Sequence, residues 1–136
     1  MPFLAWNDKL ITGVETIDSD HVKMIALINE LFDAIAAGQS RQVLGAILDQ
    51  LVAYTQYHFA HEEAIFLKID YAGRDAHKKE HDEMAAWARK TQEQFRNGQL
   101  AAPSLEVMNY LKDWLFDHVM GSDQKFVPYL NSKGVR

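Results

Sequence analysis

The sequence predicts an all-α fold: an antiparallel up-down-up-down four-helix bundle preceded by an extended N-terminal arm. Three observations carry that expectation. Four long segments place apolar residues at helical spacing, short turns separate them, and no run alternates apolar and polar residues as a strand would. Segments of similar length joined by short loops make neighbouring helices antiparallel. The 136 residues are expected to form a single domain over 1–136, with residues 1–17 as the arm and 18–130 as the bundle and C-terminal turn.

Residues 1–17 show no sustained helical period. Trp6, Ile11, Val14 and Ile17 are spaced like an arm packing over the body, and Gly13 lets it bend. Asp18-Ser19-Asp20 is the expected start of the first helix, with N-cap chemistry and negative charge at the positive end of the dipole. Its inward stripe is His21, Met24, Ile25, Ile28, Phe32 and Ile35, and Gly38 is the expected stop. Ser40 is the expected cap of the second helix, about 41–68, whose inward face carries Leu44, Ile47, Leu48, Leu51, Tyr54, His58, Glu62 and Ile65. Asp70 to Gly73 reads as a loop. The third helix, about 74–97, presents His77, His81, Met84, Ala88, Thr91 and Phe95, and Asn97-Gly98 ends it. Ser104 is the expected cap of the fourth, with Val107, Met108, Leu111, Trp114, Leu115 and His118 inward. Gly121 and Ser122 weaken that helix, and Pro128 is expected to end helical pairing beyond them.

Composition removes several function classes. A net charge of −5 counts against nucleic acid and anionic membranes as electrostatic partners. The absence of cysteine excludes disulfides, thiolate zinc sites and iron–sulfur clusters, leaving nitrogen and oxygen as metal ligands. No apolar run approaches the roughly 18 residues needed to span a bilayer. No secretion signal opens the chain, so a cytoplasmic location is expected.

The chemistry sits on the inward stripes. Five of the six histidines fall there: His21, His58, His77, His81 and His118, at least one from each helix. His58 and Glu62 are four apart, as are His77 and His81, so each pair shares a helix face. In an antiparallel bundle, a residue early in one helix and a residue late in the next lie at the same end. His21 and the His77–His81 pair are early in their helices, and His58 and His118 are late, so all five are expected to converge at one depth. A lone core histidine is usually a packing residue, but convergence of five with a carboxylate points to metal, because uncompensated charge in an apolar core is costly. Asp123 follows His118 by five residues, too far round an unbroken helix to share its face. Gly121 between them permits the distortion that would bring the carboxylate back. His61 lies on the flank opposite Glu62 and is expected to be partly exposed, and Glu63 is expected on the surface or behind the ligands.

Five imidazoles and two carboxylates exceed the needs of one ion. Two six-coordinate ions offer twelve positions. The nitrogens fill five, two bridging carboxylates fill four, and a bridging hydroxide or oxide fills two, leaving one open. A nitrogen and oxygen set of this kind suits iron, with manganese and zinc as alternatives. Ile25, Leu115 and Val119 would surround the open position with apolar groups, giving a small dry pocket suited to a diatomic molecule.

Taken together, Trp6 and Val14 in the arm, Ile17-Asp18-x-x-His21, His58-x-x-x-Glu62, His77-x-x-x-His81 and His118-x-x-x-x-Asp123 resemble the hemerythrin family, specifically its bacterial members, over nearly the whole chain. The resemblance implies two non-haem iron ions bridged by hydroxide or oxide, Glu62 and Asp123. It implies that His77, His81 and His118 hold the coordinatively saturated iron and that His21 and His58 hold the iron with the open place. Trp6, Trp114, Leu115 and Val119 match positions that shield or line the ligand pocket. Two departures stand out: Ser19-Asp20 where many relatives have a glutamine just before the histidine, and Ala72 where a proline is frequent. Neither is expected to touch a ligand.

The function implied is reversible dioxygen binding for storage, delivery or sensing, without enzymatic turnover, and with nitric oxide or small anions such as azide as other ligands. The length fits both a free-standing protein and a domain of a larger sensor. Competing readings are a di-iron enzyme, handling peroxide or nitric oxide, and an iron reservoir. His61 is the nearest candidate for the acid–base group that an enzyme would need.

Overall fold

A computed structural model of the protein describes residues 2–99 and 105–135. Helices α1 (Glu15–Ala36), α2 (Arg41–Lys68), α3 (Arg74–Arg96) and α4 (Leu105–Asp117) form the bundle. A π-helical segment (His118–Asp123) joins α4 to α5 (Gln124–Ser132), so the last rod runs to the end of the fold. A single 3₁₀ turn (Asp8–Leu10) interrupts the arm. There is no strand among the described residues, and no helix is long and apolar enough to cross a membrane. The expected cap Ser104 lies outside the described residues.

Helices α1, α2 and α3 end by the same device. At the C-terminus of α1, Gly38 takes φ 68°, its N–H donates to Ile35 O, and Gln39 N–H donates to Ala34 O. This paired return closes the last carbonyls and turns the chain towards the next helix. Gly98 does the same after α3, and Asp70, at φ 55°, does it after α2 without the freedom of glycine. Ser40 caps α2 by accepting the amide of Val43, as its position suggested.

Several details differ from the sequence reading. α1 begins at Glu15, before Asp18, with Val14 in the cap position and no side-chain cap bond. The carboxylate of Asp18 instead accepts Thr12 N–H and Oγ1–H at 2.8 Å each and Gly13 N–H at 3.2 Å, fastening the arm to the helix start. Within the arm Ile11 is exposed; Leu4 and Leu10 are the buried anchors, beside Val14. Phe3 stacks on Phe32 at 4.3 Å, and Asn29 clamps the arm through Leu4 N–H to Oδ1 (2.8 Å) and Nδ2–H to Leu4 O (2.9 Å). Pro128 does not end pairing: it lies inside α5. It removes one backbone donor, but on an exposed face water can serve the carbonyl left over. Phe126 and Leu130, with no exposed surface, hold that helix in place.

The apolar interior falls into two clusters. The larger runs along the bundle through Met24, Ile28, Leu31, Leu48, Leu51, Met84 and Leu115. The smaller, Val14, Ile17, Phe66, Phe126 and Leu130, closes one end. Five histidines, Glu62 and Asp123 are buried where the two clusters meet.

The clamp predicts a stability effect. Two net hydrogen bonds of about 1 kcal/mol each put the cost of Asn29→Ala at about 2 kcal/mol. Thermal and denaturant unfolding should show the loss; an unchanged midpoint would mean that Leu4 and Phe3 hold the arm unaided.

Candidate metal centre

Each predicted ligand residue is buried: His21, His58, Glu62, His77, His81, His118 and Asp123 are all at most 4% exposed. α1 supplies His21, α2 supplies His58 and Glu62, α3 supplies His77 and His81, and the π segment supplies His118 and Asp123. The π segment answers the spacing problem. Five α-helical residues turn about 500°, leaving Asp123 roughly 140° from His118. Widening the turn by one residue brings the fifth residue back over the first. Ser122 Oγ–H donates to Glu80 Oε1 at 2.8 Å, bracing this loosened turn against α3.

The donor atoms sort into two sets that share the carboxylates. Nε2 of His77 lies 3.1 Å from Glu62 Oε1 and 3.0 Å from Asp123 Oδ1. Nε2 of His81 lies 3.2 Å from the same Glu62 oxygen, and Nε2 of His118 lies 3.1 Å from the same Asp123 oxygen. His81 and His118 face each other, Nε2 to Nε2, at 3.2 Å. The other two oxygens face the other way: Glu62 Oε2 is 3.0 Å from His58 Nε2 and 3.6 Å from His21 Nε2, and Asp123 Oδ2 is 3.1 Å from His21 Nε2. His21 and His58 meet Nε2 to Nε2 at 3.1 Å. One set therefore has five donors and the other four.

These distances fit a pair of cations. Imidazole nitrogens bind such ions at about 2.1 Å, so two ligands at right angles lie about 3.0 Å apart. In each facing pair one ring, His58 or His81, already uses Nδ1–H as donor, so in its neutral form it offers only a lone pair at Nε2. Glu62 Oε2 and both oxygens of Asp123 are buried without a partner of hydrogen-bonding geometry, which leaves them open to metal. The donor chemistry, five nitrogens and two carboxylates with no sulfur, is compatible with a di-iron site.

Behind the donors stands a second layer of carboxylates. His58 Nδ1–H donates to Asp20 Oδ2 at 2.9 Å and His81 Nδ1–H donates to Glu63 Oε2 at 3.0 Å, directing Nε2 of both rings inward. His118 Nδ1 is 3.8 Å from Glu80 Oε2. Asp20, expected to touch no ligand, is thus in direct contact with one, and it also accepts His61 Nδ1–H at 2.6 Å. His61 is partly exposed, as expected, and points at Asp20 rather than at the centre. The signal for Asp20 was present in its departure from glutamine, but only the packing of α1 on α2 gives it a partner.

Aromatic rings fix the three-histidine side. Phe59 stacks on His81 at 4.0 Å, Trp114 stacks on His118 at 4.5 Å, and Phe66 meets His77 edge-on at 4.9 Å. Within the bundle, a cavity of about 30 Å³ is lined by Trp114, Leu115, Leu51, Met84 and other apolar groups; none of the seven donor residues is in that lining, and Trp114, stacked on His118, connects the two. Of the expected pocket residues, Trp114 and Leu115 line it. Ile25 and Val119 are buried in the same apolar cluster but outside that lining, and Trp6 packs half-buried against the cluster.

Without cations, the carboxylates draw protons onto the rings. Burial opposes the charge of His58, but Glu62 and Asp20 prevail and push its pKa up to about 10. Burial likewise opposes His77, and its contacts with Asp123 and Glu62 raise it to about 9. Burial also penalises the charge of Glu62, yet the imidazoles of His58, His21 and His77 hold it well below the usual carboxylate range. Asp20, despite its burial, is lowered to about 2 by His58 and His61. The raised imidazoles stabilise the metal-free fold fully below pH 6.5, and this is lost as pH rises through about 9 and 10. The lowered carboxylates act oppositely: Asp20's contribution is present above 3.8 and lost as pH falls to about 2. Chelator-stripped protein should therefore melt highest between about pH 4.5 and 6.5. A melting temperature that kept rising to pH 10 would contradict this electrostatic account.

Comparison with known proteins agrees with the geometry. Residues 12–130 match the family profile of the Hemerythrin HHE cation binding domain. The chain is 33% identical over 126 residues to a bacteriohemerythrin of Stenotrophomonas maltophilia (strain R551-3), covering 93% of this chain and 80% of that protein. It is 32% identical over 133 residues to a bacteriohemerythrin of Methylococcus capsulatus (strain ATCC 33009 / NCIMB 11132 / Bath), covering 97% and 100%. A crystal structure of wild-type hemerythrin superposes with a TM-score of 0.87 at 30% identity, covering 93% of this chain and 96% of that one. With the profile spanning most of its length and the four-helix architecture shared, this chain belongs to the hemerythrin family.

Proposed function

We propose that this protein binds dioxygen reversibly at a non-haem di-iron centre, serving storage, delivery or sensing rather than turnover. His77, His81 and His118, with Glu62 Oε1 and Asp123 Oδ1, would hold one iron. His21 and His58, with Glu62 Oε2 and Asp123 Oδ2, would hold the other. A hydroxide or oxide would complete the bridge. The observation that carries the reading is the inequality of the two sets: Asp123 Oδ1 lies against His77 and His118 as well as Glu62 Oε1 against His77 and His81, giving five protein donors against four on shared carboxylates. With one bridging oxygen added, only the four-donor side keeps a place for an outside ligand. When bound, the ferrous pair would supply the two electrons that dioxygen takes up and later returns.

The chain's own residues would do the rest. The paired carboxylate oxygens set the two positions side by side. Phe59, Trp114 and Phe66 lock the imidazoles in place, so little rearrangement is needed when a ligand arrives. The apolar cavity lined by Trp114 and Leu115 admits a small neutral molecule and keeps water sparse. Ile25 and Val119 add apolar bulk around this region, and Trp6 of the arm shields it; nitric oxide and azide would compete for the same place. Five imidazoles with two carboxylates make a less anionic set than the carboxylate-rich ferritin-like sites, which favours reversible binding over oxygen cleavage. Arm and bundle would work as one domain over residues 1–136.

The direct test is repeated oxygenation and deoxygenation of the iron-loaded, reduced protein, followed by its visible absorption. Several cycles with little loss are expected, and irreversible conversion to the diferric form in the first cycle would overturn the carrier reading. Glu62→Ala should remove one carboxylate from both sets and lower iron below two per chain; full iron content would contradict its bridging role. Val119→Phe should slow ligand entry, and unchanged binding and autoxidation rates would remove Val119 from the pocket wall.

A further inference from the structure

Asp20 belongs to neither donor set, yet its carboxylate is fully engaged and only 6% exposed. Oδ2 accepts the Nδ1–H of His58 (2.9 Å) and of His61 (2.6 Å), and Oδ1 accepts Tyr54 O–H at 3.1 Å. These partners come from one face of α2, so Asp20 is the point at which α1 is hydrogen-bonded to it beside the centre. Tyr57, 6.1 Å from His61 and 5.5 Å from Tyr54 between ring centroids, covers the group from outside.

The other carboxylates behind the ligands are unlike it. Glu63, behind His81, has its side chain 26% exposed, and Glu80, 3.8 Å from His118, has its side chain 44% exposed. Both stand on the five-donor side. On the four-donor side His21 Nδ1 has no hydrogen-bond partner, so Asp20 through His58 supplies the carboxylate support there. A charge acts more strongly on its neighbours where water is excluded. A carboxylate on the far nitrogen of a ligating imidazole also makes that ring a stronger donor and fixes its tautomer.

We propose that Asp20 is a positioning and tuning residue of the four-donor position: it holds His58 with Nε2 turned to the metal, and its dry negative charge favours the oxidised state of the iron that takes the outside ligand. His61 and Tyr54 hold Asp20 in that role and screen it from water. A neutral side chain at residue 20 could orient His58 but would not add the charge. The aspartate therefore biases this centre towards tighter electron donation to its ligand and towards easier oxidation. The proposal rests on the di-iron reading above, but does not depend on whether dioxygen binding is reversible.

The experiment compares iron-loaded full-length protein with Asp20→Asn, Tyr54→Phe and Glu63→Gln. Spectroelectrochemical titration should show a higher midpoint potential in Asp20→Asn, and a smaller rise in Tyr54→Phe and in the part-exposed control Glu63→Gln. Iron affinity, read by competition with a chelator, should fall by up to about 10- to 100-fold in Asp20→Asn, the range for altering such a partner. Asp20→Asn retaining two irons at the wild-type potential would overturn the proposal, as would a shift in Glu63→Gln as large as its own. If Asp20→Asn fails to fold, Tyr54→Phe decides: a raised potential supports the proposal and an unchanged one overturns it. A wild type that takes up no iron overturns both readings. A wild type that keeps two irons but oxidises irreversibly defeats only the carrier reading and leaves the comparison of potentials valid.

Discussion

Seven ionisable side chains share a space from which water is almost excluded, and the rest of the structure answers to that fact. An isolated carboxylate in such surroundings would be strongly disfavoured. Here Glu62 and Asp123, with no exposed surface, sit among five imidazoles at 3.0–3.6 Å. Protons on the rings can balance the charge, and two cations would balance it with better geometry. The four helices contribute together because no single helix can present seven donors to one point.

The two halves of the centre are built differently. The five-donor half is enclosed by Phe59, Phe66 and Trp114, each against a different imidazole. The smaller apolar cluster of Val14, Ile17, Phe66, Phe126 and Leu130 closes the end of the bundle beneath it. The four-donor half has one protein donor fewer. Asp123 can serve both halves only because the last rod widens into a π turn, and the exposed Gly121 within it has nothing within 4 Å of where a side chain would begin. π turns inside α-helices are uncommon and concentrate at functional sites.

Behind the ligands, the anions are graded in exposure. Asp20 is dry and held by three donors, Glu63 is partly wet, and Glu80 is wetter and also engaged with Ser122. Such an outer layer decides ring orientation and donor strength. The arm takes part indirectly. Asp18 fastens it to the start of α1, two residues before Asp20 and three before His21.

The helices, their approximate ends and the inward stripes were legible in the chain, because they follow from periodicity and from glycine and serine at turns; α2 spans Arg41–Lys68 and α3 Arg74–Arg96, close to their expected limits. The common depth of the histidines was legible too, since antiparallel order alone sets it. Which oxygen faces which ring was not, because that depends on rotamers chosen by packing across helices. Nor was the role of Asp20: read locally, Asp18-Ser19-Asp20 looks like a helix cap, but the helix starts at Glu15 and the two aspartates serve the arm and His58. Pro128 shows the same limit, since a local helix breaker is overridden where Phe126 and Leu130 gain a buried place. Sequence determined what each helix turns inward. The tertiary structure decided which inward groups meet, because hydrogen bonds and contacts between distant residues exist only once the helices are packed.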